Sequence, residues 1–261
     1  MIFPVAYTPG LLEQDLYTLP LEAGLVYAVS NWGTRTATPL WPFQNESTTG
    51  RRNPTRHPGK VLAVAGGSIA LGTLTALSFL PSAAEQESFA LGPSVRGWIH
   101  AHLVTEIATS FAKNTFQRER PFYDTVQKNG TVREDDRRSF FSGHSSHAFT
   151  FANYSSRLVW DNVANQEVGL LYGAVSFGLA TLVAGTRAYD GQHHWSDVVA
   201  GSAVGFFTSM FVYERMAESV QQKRAHASCE NVPCPSFKVL PLFLAEPQKP
   251  NQWGLEFLAK L

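Results

Sequence analysis

Apolar stretches separated by polar turns organise the chain into helices. The first, Val61 to Pro81, is uncharged and dominated by Ala, Gly, Leu and Thr. It is long enough to cross a bilayer as a helix, and its small residues suit close helix packing in water or in lipid. The pattern then predicts helices over about Val95–Asn114, from Ser142–His144 to about Trp160, over about Glu167–Ala184 and over about Trp195–Ala217. Upstream, Pro4, Pro9, Pro20, Pro39, Pro42, Pro54 and Pro58 punctuate an irregular segment with one predicted helix near Leu19–Asn31. Downstream, the apolar runs Phe237–Ala245 and Trp253–Leu261 flank Glu246–Asn251 and read as a terminal β-hairpin. The predicted fold class is all-α, a helical bundle of about five or six helices with its chemistry at one end, plus a C-terminal β-hairpin. The expected divisions are an irregular segment over 1–60, a helical domain over 61–225 and an extension over 226–261.

A chain of 261 residues can bury one large core or two small ones, and no Pro-, Gly- and Ser-rich linker asks for a second domain. Basic and acidic residues balance at 21 each, so overall charge gives no reason to expect a nucleic-acid partner. Glu13 and Asp15 interrupt the opening stretch and no basic region precedes an apolar run, so no signal peptide is expected. Cys229 and Cys234 are close enough in sequence to close a small disulfide loop or to remain two free thiols, and two cysteines without further ligands argue against structural zinc. The helices that carry chemistry hold His100, His102 and Glu106 in one case and Asn153, Ser155, Ser156 and Arg157 in another, a polar load for hydrocarbon. With a mean hydropathy slightly below zero, the expectation is a domain that is soluble or peripherally held, with an integral membrane protein as the alternative. Arg51, Arg52, Arg56 and Lys60 read as a solvated linker, or as a contact for anionic lipid heads.

Three short blocks between Lys113 and Asp197 concentrate anion chemistry: Lys113 with Arg120-Pro121, then Ser142-Gly143-His144, then Arg187 with His193 and Asp197. A phosphate ester carries nearly two negative charges, and its transition state spreads charge over three equatorial oxygens, so a protein must supply placed cations and hydrogen-bond donors. Arg120 and Arg187 suit that need because a guanidinium stays charged and can grip two oxygens; Lys113 adds a point charge from the end of its helix. Ser142 is a good amino-terminal cap and Gly143 permits close approach, so the helix start is an anion seat with His144 beside it. His193 and Asp197 are four apart, on one face of a helix that begins there, where a carboxylate can fix the imidazole tautomer. No Gly-x-Ser-x-Gly is present, and nothing assigns Ser142 as a nucleophile.

Order and spacing of these blocks resemble the type 2 phosphatidic acid phosphatase superfamily, whose members include lipid phosphatases, bacterial nonspecific acid phosphatases and vanadium haloperoxidases. Phe141 stands where a Pro often precedes Ser-Gly-His, and Thr186 where a Ser often precedes the Arg. The resemblance implies catalytic roles for three residues: His193 as the nucleophile that forms a phosphohistidine, Asp197 orienting it, and His144 as acid and then base. It implies phosphate binding by Lys113, Arg120, Ser142, Gly143 and Arg187, with no metal or cofactor, the pocket being filled by phosphate or vanadate. The implied substrate is a phosphorylated lipid, as phosphate or pyrophosphate, or a small phosphomonoester at a membrane surface. The implied setting is a bacterial cell envelope, periplasmic or membrane-associated, with an integral inner-membrane protein as the alternative. Two other functions remain open: a vanadate-dependent haloperoxidase using the same pocket, and a non-catalytic envelope scaffold.

Several neighbours have plainer readings. His194 points away from its neighbour if helical. His147 lies one turn after His144 at a metal-binding spacing, although the resembling phosphatases need no metal. Asp135, Asp136, Arg137 and Arg138 read as a solvated loop within a span, Phe122–Phe141, that covers the pocket, and Phe140 and Phe141 read as core, with the lining of an acyl or aryl channel as the alternative. Sequons occur at Asn45, Asn129 and Asn153.

Overall fold

The computed structural model describes residues 11–31, 58–79, 91–163 and 165–228, with side chains described over 18–31, 64–79, 91–163 and 165–221. These residues form helices α1 (Leu11–Asn31), α2 (Pro58–Leu77), α3 (Leu91–Phe116), α4 (Tyr123–Lys128), α5 (Gly143–Asn162), α6 (Gln166–Tyr189) and α7 (Trp195–Ser228), with a 3₁₀ turn at Glu134–Arg137. Among the described residues there is no strand, in keeping with the all-α expectation. The expected β-hairpin, both cysteines and the side chains of the basic cluster lie outside them. The chain divides into two compact units, Met1–Gln222 and Lys223–Leu261, and every candidate site residue belongs to the first.

Helix α5 is the centre of the bundle. On one side Ala101 of α3, Tyr154 and Leu158 of α5 and Val212, Tyr213 and Met216 of α7 form a buried cluster; on the other, Ala148 and Ala152 meet Leu71 of α2 and Ala180 and Val183 of α6. Small side chains bring these helices close, and hydroxyl and amide groups link them. Thr105 bonds Thr150 at 3.0 Å, Thr109 bonds Ser146 at 3.1 Å, and the Asn153 amide donates to Ser209 at 2.9 Å. Helix α7 comes nearest. A Cβ added at Gly201 would stand 2.5 Å from the Ser142 carbonyl oxygen, and one at Gly205 would stand 1.9 Å from that of Ser146. Backbone-to-backbone packing of this kind sets the first turn of α7 beside the first turn of α5, where two of the three sequence blocks lie.

One expected boundary changes. Helix α1 begins at Leu11 rather than Leu19 and runs through Pro20. Proline in a helix interior is costly, but α1 is anchored to α3: Glu22 and His100 pair at 2.7 Å, Ser30 bonds Ser110 at 3.1 Å, and the Asn114 amide donates to the Val29 carbonyl. The Asn153 sequon is buried inside the bundle by its bonds to α7, whereas Asn129 is exposed.

Among the described residues two helices are long and apolar enough to cross a membrane, Gln166–Tyr189 and Trp195–Gln221. In each, only 33% of the most apolar window is buried, so most of this apolar length faces outward. Leu170, Leu171 and Leu182 on α6 and Val199, Phe207 and Phe211 on α7 are exposed. Tyr189 and Trp195, on either side of the short turn that joins the two helices, are exposed as well.

Candidate active site

Helix α3 delivers Lys113 in its last turn and stops at Gln117, whose φ of +44° turns the chain. The next residues run extended and are tied by their main chain to the loop before α5: Arg120 N–H donates to the Asp136 carbonyl at 2.9 Å, and Ser139 N–H to the Arg118 carbonyl at 2.9 Å. Alternation then sends Arg118 and Arg120 inward, with 3% and 6% exposure, while Glu119 is half-exposed. Arg120 is held from several directions. Its Nε donates to the Asp135 carbonyl at 2.9 Å, Nη2 meets the Asp135 carboxylate at 2.6 Å, and Nη1 reaches the Gln192 carbonyl at 3.2 Å. The solvated-loop reading of 135–138 holds for the exposed Asp135 and Arg137 and is corrected at Asp136. Asp135 grips Arg120, and Asp136 is buried, accepting from the Arg133 N–H at 2.7 Å. Phe141 is buried as expected.

Ser142 is the amino-terminal cap of α5. Its hydroxyl oxygen accepts from the Ser145 hydroxyl at 2.9 Å and its N–H donates to the Asp197 carbonyl at 3.1 Å. These bonds make Ser142 a buried structural cap. The first-turn amides of Gly143 and His144 have no carbonyl one turn earlier to bond and carry the positive end of the helix dipole. A Cβ at Gly143 would lie 3.3 Å from the Thr109 methyl and 3.5 Å from Lys113 Nζ, so glycine keeps this amide end open and close to the ammonium. A cavity of about 290 Å³ opens beside Lys113, Gly143 and His144.

Between α6 and α7 the chain turns at Gly191, with φ +66°, and the Arg187 carbonyl accepts from both Gln192 N–H at 3.0 Å and His193 N–H at 3.2 Å. The turn fixes His193 relative to Arg187. Helix α7 begins only at Trp195, so His193 and Asp197 meet across the helix cap rather than one helical turn apart, as the spacing suggested. His193, 3% exposed, places Nδ1 at 2.8 Å from the Ser139 carbonyl oxygen and 3.8 Å from the Asp197 carboxylate. A carbonyl only accepts, so Nδ1 carries the hydrogen and Nε2 is the bare nitrogen.

Asp197 is fully buried and reaches His193 through intermediaries. One oxygen pairs with Arg118; the other accepts from the Ser139 hydroxyl at 2.5 Å and from the His194 N–H at 3.0 Å, in capping-box fashion. Arg118 and Ser139 were not expected from the sequence. Alternation around Glu119 was a signal for Arg118; the contribution of Ser139 is a main-chain oxygen, which leaves none. His194 turns away, its Nε2 at 3.1 Å from the Glu119 carbonyl, as its plainer reading held.

Electrostatics bring the blocks together. Burial pushes His193 down to about 4, with Asp197 opposing and the charges of Arg120 and Arg187 reinforcing. Partial burial and the charges of Arg187, His193, Lys113 and Arg120 bring His144 to about 4. Lys113 is lowered by burial, then by Arg120. Arg187 has a buried Nε without a hydrogen-bond partner among the described residues. The site thus combines neutral imidazoles with crowded cations, an arrangement that an anion would stabilise. Among the described residues no group of three or more His, Cys, Asp and Glu is arranged to hold a metal ion.

The sequence pattern of the PAP2 superfamily matches residues 98–221, a span that holds all three blocks. A PA-phosphatase related-family protein of Dictyostelium discoideum is 32% identical over 125 residues, covering 45% of this chain and 46% of the relative. The chain thus spans about half the length of the curated relative it matches. No solved structure gives a significant match. Over residues 98–221 the chain is thus similar to the PAP2 superfamily, the one its three blocks resemble.

Proposed function

We propose that this chain is a metal-independent phosphatase that hydrolyses phosphate esters through a phosphohistidine on His193. The observation that carries the reading is the combination of a bare Nε2 on a neutral, buried His193 with a buried Arg187 Nε that has no hydrogen-bond partner among the described residues. The match to the PAP2 superfamily over residues 98–221 supports a phosphatase-type function and a phosphate-ester substrate.

In this reading the phosphoryl oxygens sit among Lys113, Arg120, Arg187 and the amides that open α5. The His193 Nε2 lone pair forms a P–N bond as the ester P–O bond breaks, and His144 gives its proton to the departing alkoxide. Phosphate entering the site offsets the cations that depress His144, so substrate binding itself raises the fraction of the acid form. Neutral His144 then takes a proton from water, the water oxygen forms a P–O bond, and the P–N bond breaks to release phosphate and restore His193. Asp197 keeps Ser139 and Arg118 in place behind the nucleophile.

The substrate in this proposal is a lipid phosphate or pyrophosphate. Support comes from the outward-facing apolar lengths of α6 and α7 and from Tyr189 and Trp195, aromatic residues of the kind enriched at membrane interfaces, exposed where the two helices join. His193 lies in that joining turn, at headgroup level if both helices cross the bilayer. Phosphate release in the presence of EDTA, from an aryl phosphate and from a short-chain phosphatidate, tests the reading. Release by the wild type and none by His193→Ala is expected. Equal release by the variant overturns the mechanism, and a strong preference for the aryl phosphate overturns the lipid substrate.

A further inference from the structure

The cavity beside His144 continues away from the phosphate seat along α2, α3 and α5, and phosphoryl transfer uses none of its deeper wall. Leu71, Ala148 and Phe151 make part of that wall apolar, and Glu106 and His147 set a polar pair into it. His147 lies one turn beyond His144 on α5, and Glu106 about two turns before Lys113 on α3. The same two helices that present the seat therefore present this pair.

The pair belongs to an ordered chain of hydrogen bonds. Glu106 Oε2 lies 2.8 Å from His147 Nε2, and Oε1 accepts from the Ser110 hydroxyl at 2.8 Å. His147 Nδ1 lies 2.9 Å from His102 Nδ1, and the His102 ring packs on Phe151 with centroids 4.1 Å apart. An ionised carboxylate only accepts, so His147 Nε2 carries a hydrogen; in the neutral ring its Nδ1 is then bare, and His102 Nδ1 donates to it. All donors in the chain point toward Glu106. The side chains of Glu106 and His147 remain 38% and 29% exposed, and what Glu106 has left to offer the cavity is the unused lone pairs of a carboxylate.

A phosphoryl group attacked by His193 leaves its alcohol beside His144, the mouth of this cavity. We infer that Glu106, held by His147, forms a leaving-group subsite that takes alcohols bearing a hydroxyl or ammonium group near the ester oxygen. The same carboxylate disfavours an anionic leaving group such as a second phosphate. An entering hydroxyl or ammonium completes the carboxylate's hydrogen bonding, whereas a phosphate would set two like charges together at low dielectric. The inference rests on the proposed function and narrows its substrate class.

Binding of non-hydrolysable phosphonates, measured by calorimetry, tests the subsite without relying on turnover. Hydroxypropylphosphonate and aminopropylphosphonate carry the two kinds of donor, butylphosphonate is the similarly sized apolar control, and methylenediphosphonate carries a second anion. At least one donor ligand should bind about tenfold more tightly than butylphosphonate, the size of one hydrogen bond to a charged group, and which one identifies the donor. In Glu106→Gln that advantage should shrink and the diphosphonate should gain affinity, with butylphosphonate binding reporting that the variant is folded. Equal binding of all monophosphonates by the wild type, or an advantage unchanged in Glu106→Gln, overturns the subsite alone. Failure of every phosphonate to bind overturns the phosphate seat and the proposed function together.

Discussion

The Nδ1 of His193 lies 2.8 Å from the main-chain carbonyl oxygen of Ser139, while the Asp197 carboxylate stands 3.8 Å away. The tautomer of the candidate nucleophile is therefore set by a backbone atom. Asp197 acts one step removed, by holding the Ser139 hydroxyl and the Arg118 guanidinium behind it.

This arrangement ranks three substitutions. Ser139→Ala keeps the carbonyl and should lower kcat by no more than about tenfold, the effect of one hydrogen bond. Asp197→Asn breaks a buried ion pair at Arg118, and loss of one partner of such a pair costs about 3–5 kcal/mol; stability and kcat should both fall sharply. Arg118→Leu should destabilise comparably, although Arg118 touches no reacting atom. Urea denaturation beside steady-state kinetics checks the order, and a Ser139→Ala effect larger than that of Asp197→Asn would reverse it.

Close approach of α7 to α5 predicts a glycine effect. Gly205→Ala sets a methyl 1.9 Å from the Ser146 carbonyl oxygen, and Gly201→Ala sets one 2.5 Å from that of Ser142. Overpacking of this kind costs about 1–3 kcal/mol, and each variant should also lose activity as Asp197 and Ser142 separate. Gly178→Ala, with nothing within 4 Å of the added Cβ, should be neutral or slightly stabilising. Thermal denaturation of the three variants decides the matter.

His193 titrates at about 4, below its ordinary value of 6.5, which gives two pH effects. As nucleophile it must be neutral, so the acid limb of kcat/KM should fall near pH 4 rather than pH 6.5. The unfolded chain binds a proton at this residue between those values and the folded chain does not. Its stabilising share is therefore complete above pH 6.5 and lost as pH falls toward 4. Melting temperatures across pH 4 to 7 should decline on acidification, and less steeply in His193→Gln.

Arg187 has a buried Nε without a hydrogen-bond partner among the described residues, so a phosphate oxygen would gain the donor without displacing a protein bond. Arg187→Lys keeps a charge but loses the fork. Inhibition by inorganic phosphate should weaken about tenfold or more in that variant; unchanged inhibition would remove Arg187 from the site.

Much of the fold was legible because helix-forming apolar stretches are long and their stops are chemical. Ser142 caps α5, and the helix predicted from it ends within a few residues of Asn162. The start of α1 was hidden because its anchors, Glu22–His100 and Asn114–Val29, are tertiary and outweigh the local signal of Pro20. Residue types named Lys113, Arg120, His144, Arg187, His193 and Asp197, since charge and imidazole chemistry are carried by side chains. The sequence could not name the Ser139 carbonyl, because every residue has one and only the loop's course selects it. Glu106 and His147 lie on different helices, and only the packing of α3 on α5 makes them a pair.

The central claim is a phosphorylated His193, and the most direct measurement is covalent trapping. With a labelled aryl phosphate, whose leaving group needs little acid catalysis, His144→Ala should form the intermediate yet be slow to hydrolyse it. Alkaline quenching and peptide mapping should place an acid-labile phosphoryl group on the peptide that contains His193. Label on any other residue, or product formed with no label on His193, would contradict the account.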